Sequence, residues 1–365
     1  MGIEILTGDC RQRLDALPAA SVQCCVTSPP YFGLRDYGVA EQIGLESTPE
    51  RYISEMVAVF RKIRRVLRDD GTLWLNLGDS YSIRHVGRRD HGTGNPASRL
   101  GPKKDGLPNG TRIKATGNRL VSGTKPKDLL MIPARVALAL QMDGWWLRSD
   151  IIWSKANPMP ESVTDRPTCA HEHIFLLTKS PAYFYDANAI REPLATSSIA
   201  RLSQNLDRQA GSSRANGGQK ANGPMKPVAH TDKQRGHSRC HAGFNERWDS
   251  MTKAEQTANG ANARNVWTIP AEPYSGAHFA VFPTALAARC IKAGTRAHDT
   301  VIDPFGGAGT TGLVADRLQR NAILIELNPQ YAALARRRID ADRGPITALM
   351  ENDPASPSPT QKGLF

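Results

Sequence analysis

A hydroxyl, two prolines and an aromatic ring follow one another near the N-terminus. The apolar run VQCCV (residues 22–26) predicts a buried strand, and TSPPYFG follows it at residues 27–33. Proline has no backbone N–H to donate, so the strand has to end there, and the loop that follows is stiff. This loop presents the Ser28 hydroxyl, free carbonyl oxygens and the flat ring of Tyr31. Together these groups are suited to holding a flat molecule that carries an amino group.

A glycine-rich turn near the C-terminus is the second stretch that could do chemistry. Gly307, Gly309 and Gly312 form the pattern G-x-G-x-x-G. A predicted strand (residues 300–303) precedes the turn, a predicted helix follows it, and Glu326 ends the next predicted strand. Glycines let the backbone approach a ligand, and a carboxylate at that position can accept hydrogen bonds from both ribose hydroxyls. The pattern alone fits a dinucleotide site, an adenosylmethionine site or a tight turn without a ligand. No Gly-Lys-Ser/Thr follows, which excludes a P-loop.

Strands and helices alternate around these two stretches. A helix is predicted from Thr48, its N-terminal cap, to Gly71, and a buried strand follows at residues 72–78. A second helix is predicted with Asp128 as its cap and Met142 near its end. The alternation predicts an α/β fold in which a doubly wound, mostly parallel sheet is covered by helices on both faces.

Composition limits the class of protein. The chain has 365 residues, of which 40% are hydrophobic and 22% charged, as is typical of a globular protein with a sizeable core. No stretch approaches the roughly 20 apolar residues that a membrane helix requires. The N-terminus shows no basic region followed by an apolar one, so we expect no secretory signal. Six cysteines without a Cys-x-x-Cys pair predict a reduced, cytoplasmic protein.

Two segments carry the excess positive charge of the chain, which has a net charge of +12. Residues 84–127 contain eleven Lys or Arg against two acids, and residues 191–264 contain twelve against six. Both segments are rich in Gly, Pro and Asn and poor in apolar anchors. A solvated linker would have the same amino-acid composition. Two basic inserts in a near-neutral α/β body nevertheless favour contact with the phosphates of a nucleic acid.

One further cluster could suggest a metal site. Cys169, His171 and His173 alternate along the stretch CAHEH. The stretch runs into an apolar segment, so the start of a strand explains it equally well, and we expect no metal there.

The motifs taken together resemble those of the amino-directed DNA methyltransferases. TSPPY resembles the [DNS]-P-P-[YFW] loop that holds the target amino group in that family. DPFGGAGTT, followed by IELNPQY, resembles the F-x-G-x-G loop and the strand that hold S-adenosyl-L-methionine. The catalytic loop precedes the cofactor loop, as in the β group, where a circularly permuted chain builds the same sheet. This order argues against the protein-glutamine methyltransferases, whose N-P-P-Y loop follows the glycine loop.

The resemblance implies a role for individual residues. GDC (residues 8–10) is similar to the motif whose aspartate meets the cofactor adenine, and HFAVFP (residues 278–283) is similar to the segment beside the methionine end. The residues implied at the cofactor are Asp9, Thr27, His278, Phe282, Asp303, Pro304, Phe305, Gly306, Gly307, Gly309, Thr310 and Glu326. The residues implied at the target base are Ser28, Pro29, Pro30 and Tyr31.

The implied chemistry explains the residue types of the first loop. An exocyclic amine is a poor nucleophile because its lone pair is delocalised into the ring. Hydrogen bonds from the amino group to Ser28 Oγ and the Pro29 carbonyl would favour a pyramidal nitrogen with an available lone pair. Tyr31 would stack on the base, which has to be flipped out of the duplex. Glu172 is a candidate for a second polar contact in the same pocket.

The resemblance also divides the chain. It predicts one catalytic domain interrupted by inserts and followed by a tail. The catalytic segments are residues 1–83, 128–190 and 265–345, the basic insert is 84–127, the target-recognition insert is 191–264, and the flexible tail is 346–365.

The predicted activity is site-specific methylation of double-stranded DNA, with a cognate restriction endonuclease as a further partner and the oligomeric state left open. Ser-Pro-Pro-Tyr resembles the loop of enzymes that act on the 4-amino group of cytosine, whereas Asp-Pro-Pro-Tyr is more usual for the 6-amino group of adenine. We therefore predict cytosine-N4 as the target and keep adenine-N6 as the alternative.

Two other interpretations are more remote. A nucleotide-cofactor oxidoreductase could use the glycine-rich turn, but the Ser-Pro-Pro-Tyr loop would have no role in it. A DNA-binding protein with an inactive methyltransferase fold is the other, and the intact set of motif residues argues against it.

Overall fold

A computed structural model of the chain shows a mixed sheet of eight strands among the described residues, which are 2–82, 114–115, 124–203, 250–272 and 282–351. In chain order the strands are β1 (Ile3–Thr7), β2 (Val22–Thr27), β3 (Arg35–Asp36), β4 (Leu67–Leu77), β5 (Lys114–Ala115), β6 (Trp146–Lys155), β7 (His171–Thr178), β8 (Val266–Ile269), β9 (Thr300–Asp303) and β10 (Asn321–Glu326). Their order across the sheet is β1-β10-β9-β2-β4-β7-β6-β8, and β3 pairs with β5 in a separate ribbon.

The direction of the strands confirms the predicted class of fold. β7 runs antiparallel to both of its neighbours, β4 and β6, and every other pair within this sheet is parallel. The C-terminal strands β9 and β10 lie between the N-terminal strands β1 and β2. The sheet is therefore doubly wound and mostly parallel, with the permuted strand order that the motif order predicted.

Helices cover both faces of the sheet. In chain order the described helices are α1 (Cys10–Ala16), α2 (Pro49–Val66), α3 (Ile132–Met142), α4 (Thr196–Ser203), α5 (Lys253–Asn259), α6 (Thr284–Gly294), α7 (Thr310–Arg317) and α8 (Pro329–Glu351), which is kinked at Gly344. Helices α4 and α5 belong to a separate compact unit. Alternate residues of a strand point to opposite faces. Cys25 of β2 packs in one core with Phe60 of α2, whereas the preceding Cys24 lies against Gly294 of α6. The described helices show no segment long and apolar enough to cross a membrane.

Helix α2 begins as predicted but ends earlier. The Thr48 hydroxyl accepts a hydrogen bond from the Arg51 N–H at 3.3 Å, and Pro49 is the first helical residue. The predicted end at Gly71 is wrong, because the helix ends at Val66 and the chain then enters β4. Leu67 pairs with β2 in the parallel ladder, so strand pairing replaces the helical hydrogen bonds at that point.

Helix α3 ends at Met142 as predicted, but the predicted cap at Asp128 is wrong. The helix begins at Ile132, whose N–H donates a hydrogen bond to Asp79 Oδ1 at 2.9 Å. Asp79 follows β4 and is distant from α3 in the sequence. The partner of a helix terminus can come from any neighbouring loop, and local sequence patterns do not reveal such a partner.

The chain divides into two compact units, of which the first comprises residues 1–186 and 264–365 and contains the large sheet. Residues 187–263 form the second unit, which contains α4 and α5. Within it Glu192 and Ala261 form a backbone bridge, and the Arg191 guanidinium donates to the Asn259 carbonyl at 3.0 Å. Most of the predicted basic insert, residues 204–249 of the predicted recognition insert and residues 352–365 of the predicted tail lie outside the described residues.

A buried carboxylate joins the ends of β2 and β9. Asp303 Oδ1 accepts hydrogen bonds from the Thr27 hydroxyl at 2.7 Å and from the Phe305 N–H at 3.0 Å. Asp303 Oδ2 accepts from the Thr311 hydroxyl at 2.7 Å, which adds the first turn of α7 to the same junction. Asp303 and Thr27 are each only 1% exposed. The loops that follow β2 and β9 are therefore fixed relative to one another by one side chain.

We expect Asp303 to give the stability of the protein a specific pH dependence. Burial raises the pKa of Asp303 to about 6, so the folded state holds the proton more tightly than the unfolded state does. Between about pH 4 and pH 6 the contribution of Asp303 to the free energy of unfolding should fall as pH rises, by about 3 kcal/mol at most. Asp303→Asn lacks this titration, so the stability advantage of the wild type over the variant should shrink across that window and stay constant above it.

Urea denaturation of both proteins at a series of pH values from 4 to 8 measures this difference. Asp15→Asn is the matched control, because Asp15 is 60% exposed and pairs with Lys62 at the surface. A difference between wild type and Asp303→Asn that stays constant from pH 4 to pH 8 would contradict the assignment.

Candidate active site

A cleft of about 710 Å³ lies at the carboxyl ends of the parallel strands. Its walls come from the residues that follow β1, β2, β9 and β10, together with residues from the ranges 34–43 and 155–161. Ligands of open α/β sheets bind at this edge, and the volume is that of an ordinary small-molecule site. The two loops selected from the sequence both belong to its lining.

The loop after β2 is held in a defined conformation by hydrogen bonds. The Ser28 hydroxyl donates to the Tyr31 hydroxyl at 3.2 Å, and the Tyr31 hydroxyl donates to Glu172 Oε2 at 2.5 Å. The Pro30 carbonyl accepts from the hydroxyl of the fully buried Tyr52 at 2.9 Å. A chain of two hydrogen bonds therefore leads from Ser28 to a carboxylate on another strand.

Glu172 is the end of that chain. Lys155 Nζ donates to its Oε1 at 2.5 Å, and Asn76 Nδ2 donates to its Oε2 at 2.8 Å. The same Asn76 amide lies 2.7 Å from the Tyr31 hydroxyl, so three polar side chains meet at one point. The Glu172 side chain is only 13% exposed, and Lys155 supplies the opposite charge that this burial requires.

Two of these residues were not predicted. Asn76 is a polar residue inside the apolar run TLWLNL, and Lys155 ends β6. A buried polar residue at the carboxyl end of a strand is a usable signal, because buried polar groups need partners. The partners could not be identified from the sequence, because they depend on the pairing of β4, β6 and β7, which the sequence patterns did not predict.

Tyr31 is fixed both by its hydroxyl and by its ring. Burial and the neighbouring Glu172 carboxylate raise the pKa of Tyr31 well above its usual value, so the phenol keeps its proton and remains a donor. The ring lies against Gly78, where a Cβ atom would stand 2.6 Å from Tyr31 Cε2. Gly78 therefore provides the space that the ring occupies.

The glycine-rich loop is bound to Glu326. Oε2 of Glu326 accepts a hydrogen bond from the Gly307 N–H and Oε1 accepts one from the Asn328 N–H, both at 2.8 Å. Burial raises the pKa of this carboxyl above its usual value. Gly309 is the N-cap of α7 and has a φ of +77°, and a Cβ there would lie 2.8 Å from Ala335 Cβ of α8. Both the backbone conformation and the close helix packing therefore require glycine at 309.

Asp9 has a structural role at the edge of the cleft. It caps α1, and its Oδ1 accepts a hydrogen bond from the Arg11 N–H at 2.7 Å. The Arg11 guanidinium also contacts its Oδ2 at 2.6 Å. Although burial acts to raise the pKa of Asp9, the hydrogen bonds and charge of Arg11 lower it below its usual value. Asp9 is therefore an ionised carboxylate on the cleft wall.

Most of the predicted site residues meet in this cleft. Its lining includes Asp9, Ser28, Pro29, Pro30, Tyr31, Phe282, Pro304, Phe305, Gly306, Gly307, Thr310 and Glu326. Thr27, Asp303 and Gly309 lie behind this lining and hold the two loops in place. His278 lies outside the described residues. Tyr37 and Ile43 line the cleft as well and were not predicted.

The alternating Cys169, His171 and His173 have other partners than a metal. The Cys169 thiol contacts the His171 carbonyl at 3.4 Å, and His173 Nδ1 lies 2.9 Å from Asp150 Oδ1. Within the ranges that the structure describes, no group of three His, Cys, Asp or Glu side chains could hold a metal ion.

Comparisons with known proteins agree with this geometry. A family model described as N6_N4_Mtase, DNA methylase, matches residues 22–337. The type II methyltransferase M.Cfr9I of Citrobacter freundii is 39% identical over 341 residues, which is 93% of this chain and 89% of the relative. The type II methyltransferase M.SmaI of Serratia marcescens is 41% identical over 336 residues, which is 92% of this chain and 90% of the relative.

Solved structures share the fold. The putative DNA modification methylase TTHA0409 of Thermus thermophilus, complexed with S-adenosyl-L-methionine, superposes with a TM-score of 0.51 at 22% identity and covers 93% of this chain and 94% of its own. The PvuII DNA methyltransferase, described as cytosine-N4-specific, superposes with a TM-score of 0.52 at 16% identity and covers 94% and 91%. The family model spans most of this chain, and relatives about 40% identical match it along nearly their whole length, so the chain belongs to the N6_N4_Mtase family of DNA methylases.

Proposed function

We propose that this protein is a site-specific type II methyltransferase that moves a methyl group from S-adenosyl-L-methionine to an exocyclic amino group in double-stranded DNA, with cytosine-N4 as the target. One observation carries the proposal: the Ser28–Tyr31 loop and the glycine-rich loop with Glu326 line one cleft. The relatives named as type II methyltransferases support the activity. The choice of cytosine rests on Ser28 in the first loop, and adenine-N6 is the alternative.

The residues of one end of the cleft fit the cofactor. Gly306 and Gly307 present backbone without side chains, and the Glu326 carboxylate stands beside them at the end of β10. We assign the ribose hydroxyls to Glu326 and the adenine to the wall that contains Asp9, Tyr37 and Ile43. When bound, S-adenosyl-L-methionine supplies an activated methyl group on its sulfonium centre. The role of His278 in this site remains a prediction from the resemblance.

The other end of the cleft can activate an amino group. The Ser28 hydroxyl donates its proton to Tyr31, and its oxygen accepts from Asn76 Nδ2 at 3.4 Å, which leaves one lone pair of Oγ to accept from the base. A hydrogen bond from the amino group to Ser28 Oγ, and one to the Pro29 carbonyl, would favour a nitrogen whose lone pair is no longer delocalised. We assign the stacking surface for the flipped base to the ring of Tyr31.

Glu172 explains how a serine can take the position of a carboxylate. The Ser28 hydroxyl points its proton toward Tyr31, and the Tyr31 hydroxyl points its proton toward Glu172. Hydrogen bonds in such a chain polarise one another, so the negative charge of Glu172 increases the electron density at Ser28 Oγ. The loop thereby gains part of the acceptor strength that an aspartate at its first position would have.

Charge and domain organisation support DNA as the partner. The excess positive charge lies in residues 84–127 and 191–264, which we assign to phosphate contact and target recognition. Residues 1–83, 128–190 and 265–345 are assigned to catalysis. We further propose action in the cytoplasm beside a cognate restriction endonuclease. Membership of the DNA methylase family leaves the oxidoreductase interpretation without support.

Methylation of genomic DNA by the purified protein tests the proposed function. After incubation with S-adenosyl-L-methionine, nucleoside mass spectrometry should show 4-methylcytosine, and sequencing of the marks should give one recognition sequence. A Ser28→Ala Tyr31→Ala double variant controls for methyltransferases that copurify. If 6-methyladenine is the sole methylated nucleoside, the cytosine assignment is wrong. If the DNA contains no methylated nucleoside, the proposed function is contradicted.

Glu326→Ala should weaken binding of S-adenosyl-L-methionine by roughly a hundredfold or more, because two hydrogen bonds to a charged acceptor are lost and each contributes about 1.5–3 kcal/mol. Isothermal titration calorimetry measures the affinity, and thermal unfolding shows whether the variant is folded. Glu50→Ala is the control, because Glu50 lies on the surface and pairs with Arg135. A folded Glu326→Ala protein with unchanged affinity would remove Glu326 from the cofactor site.

Ser28→Ala and Glu172→Gln should each lower kcat roughly tenfold, a loss of about one charge-assisted hydrogen bond in the transition state. The affinity for DNA should change little, because the contact strengthens only as the reaction proceeds. In a double-mutant cycle the combined loss should be smaller than the product of the single losses, since both residues act through one chain. Glu50→Gln is the matched control. Independent, multiplicative losses would show that Glu172 does not act through Ser28.

A further inference from the structure

An exposed methionine stands at the rim of the cleft. Met159 is 85% exposed and lies between Pro158 and Pro160, and all three line the cleft. Single exposed apolar side chains are common on protein surfaces and need no explanation by themselves. Met159 differs from such residues because of how its loop is held and where the loop starts.

The loop of Met159 is anchored on both sides. On one side the Asn157 amide bonds the backbone of Ala271, accepting from its N–H at 2.7 Å and donating to its carbonyl at 3.1 Å. On the other side Arg166 donates to Glu161 at 2.8 Å and lies over the Tyr81 ring at 4.0 Å from its centroid. The anchors hold a short segment in place at the rim.

Prolines add stiffness to this anchored segment. The rings of Pro158 and Pro160 each fix one backbone dihedral directly beside Met159. The backbone of such a segment keeps its position, although the side chain of Met159 is surrounded by solvent. The sequence therefore places an apolar side chain where a rigid loop holds it away from the protein core.

The loop also begins at the proposed target pocket. Lys155, the last residue of β6, donates to Glu172, the carboxylate at the end of the chain from Ser28. Met159 follows Lys155 by four residues and lines the same cleft. The exposed side chain is therefore at the rim of the pocket that would receive the base.

We propose that Met159 is the wedge that enters the base stack of DNA and occupies the space that the target base leaves when it flips into the cleft. This inference rests on the proposed function. Extrahelical bases leave an apolar gap between their former neighbours, and proteins that unstack DNA insert apolar side chains such as Met or Leu into it. A thioether side chain is flexible and polarisable, so it can pack between bases of any sequence. Met159 thus stabilises the flipped state without contacting the reacting atoms.

The test compares two substrates under single-turnover conditions. Both contain the recognition sequence found by sequencing the wild-type marks, but in one the target base lies opposite an abasic site and is already unpaired. Met159→Ala should lower the methylation rate on the paired duplex roughly tenfold and on the unpaired duplex by less than about twofold, because unpairing already supplies part of the flipping energy. Met159→Leu should retain most of the wild-type rate on both.

Met142→Ala is the matched control. Met142 is 88% exposed, as Met159 is, but it lies on α3 and does not line the cleft. The Met142→Ala variant should have the wild-type methylation rate on both substrates. If Met159→Ala lowers the methylation rate equally on the two substrates, or on neither, the assignment of Met159 as the wedge is overturned. Methylation by the wild type in the same experiment would still support the proposed function. A wild-type protein that methylates neither substrate would overturn the proposed function and this inference with it.

Discussion

The buried carboxylate of Asp303 is the interaction on which the arrangement of the site depends. It joins Thr27 at the end of β2 to the first turn of α7 after β9. The loop with the Ser-Pro-Pro-Tyr sequence begins directly after Thr27, and the glycine-rich loop begins directly after Asp303. Burying a carboxylate is costly, and three hydrogen bonds offset that cost only while all of them are formed. The main effect of the interaction is therefore to fix the relative position of the two loops, and its net contribution to the stability of the fold is small.

The one antiparallel strand of the large sheet explains how the polar chain is assembled. β4 and β6 end at the edge of the sheet that carries the cleft, and β7 begins there because it runs in the opposite direction. Glu172, the second residue of β7, is thus brought beside Asn76 near the end of β4 and Lys155 at the end of β6. A parallel strand in the same place would present its carboxyl end at this edge instead. The direction of one strand thereby supplies the carboxylate that the Ser28 loop lacks.

Local sequence patterns predicted the fold class and the two loops of the cleft, whereas most individual cleft residues were implied by the family resemblance. Apolar runs marked the strands, and the prolines and glycines after them marked the two loops. The patterns failed where a distant segment decided the outcome. Pairing with β2 ended α2 at Val66, and Asp79 replaced Asp128 at the start of α3. Asn76 and Lys155 were missed for the same reason, since their importance comes from Glu172 on a neighbouring strand.

The end of β6 connects the chemistry of the pocket to its rim. Lys155 forms an ion pair with Glu172, and the chain then turns within two residues to Asn157, whose amide is bonded to the backbone of Ala271. The position of the rim loop is therefore determined from both sides, by the ion pair inside the cleft and by the amide pair outside it. The ion pair of Glu172 and the rim loop that carries Met159 are in this way parts of one connected structure, joined by a short stretch of chain.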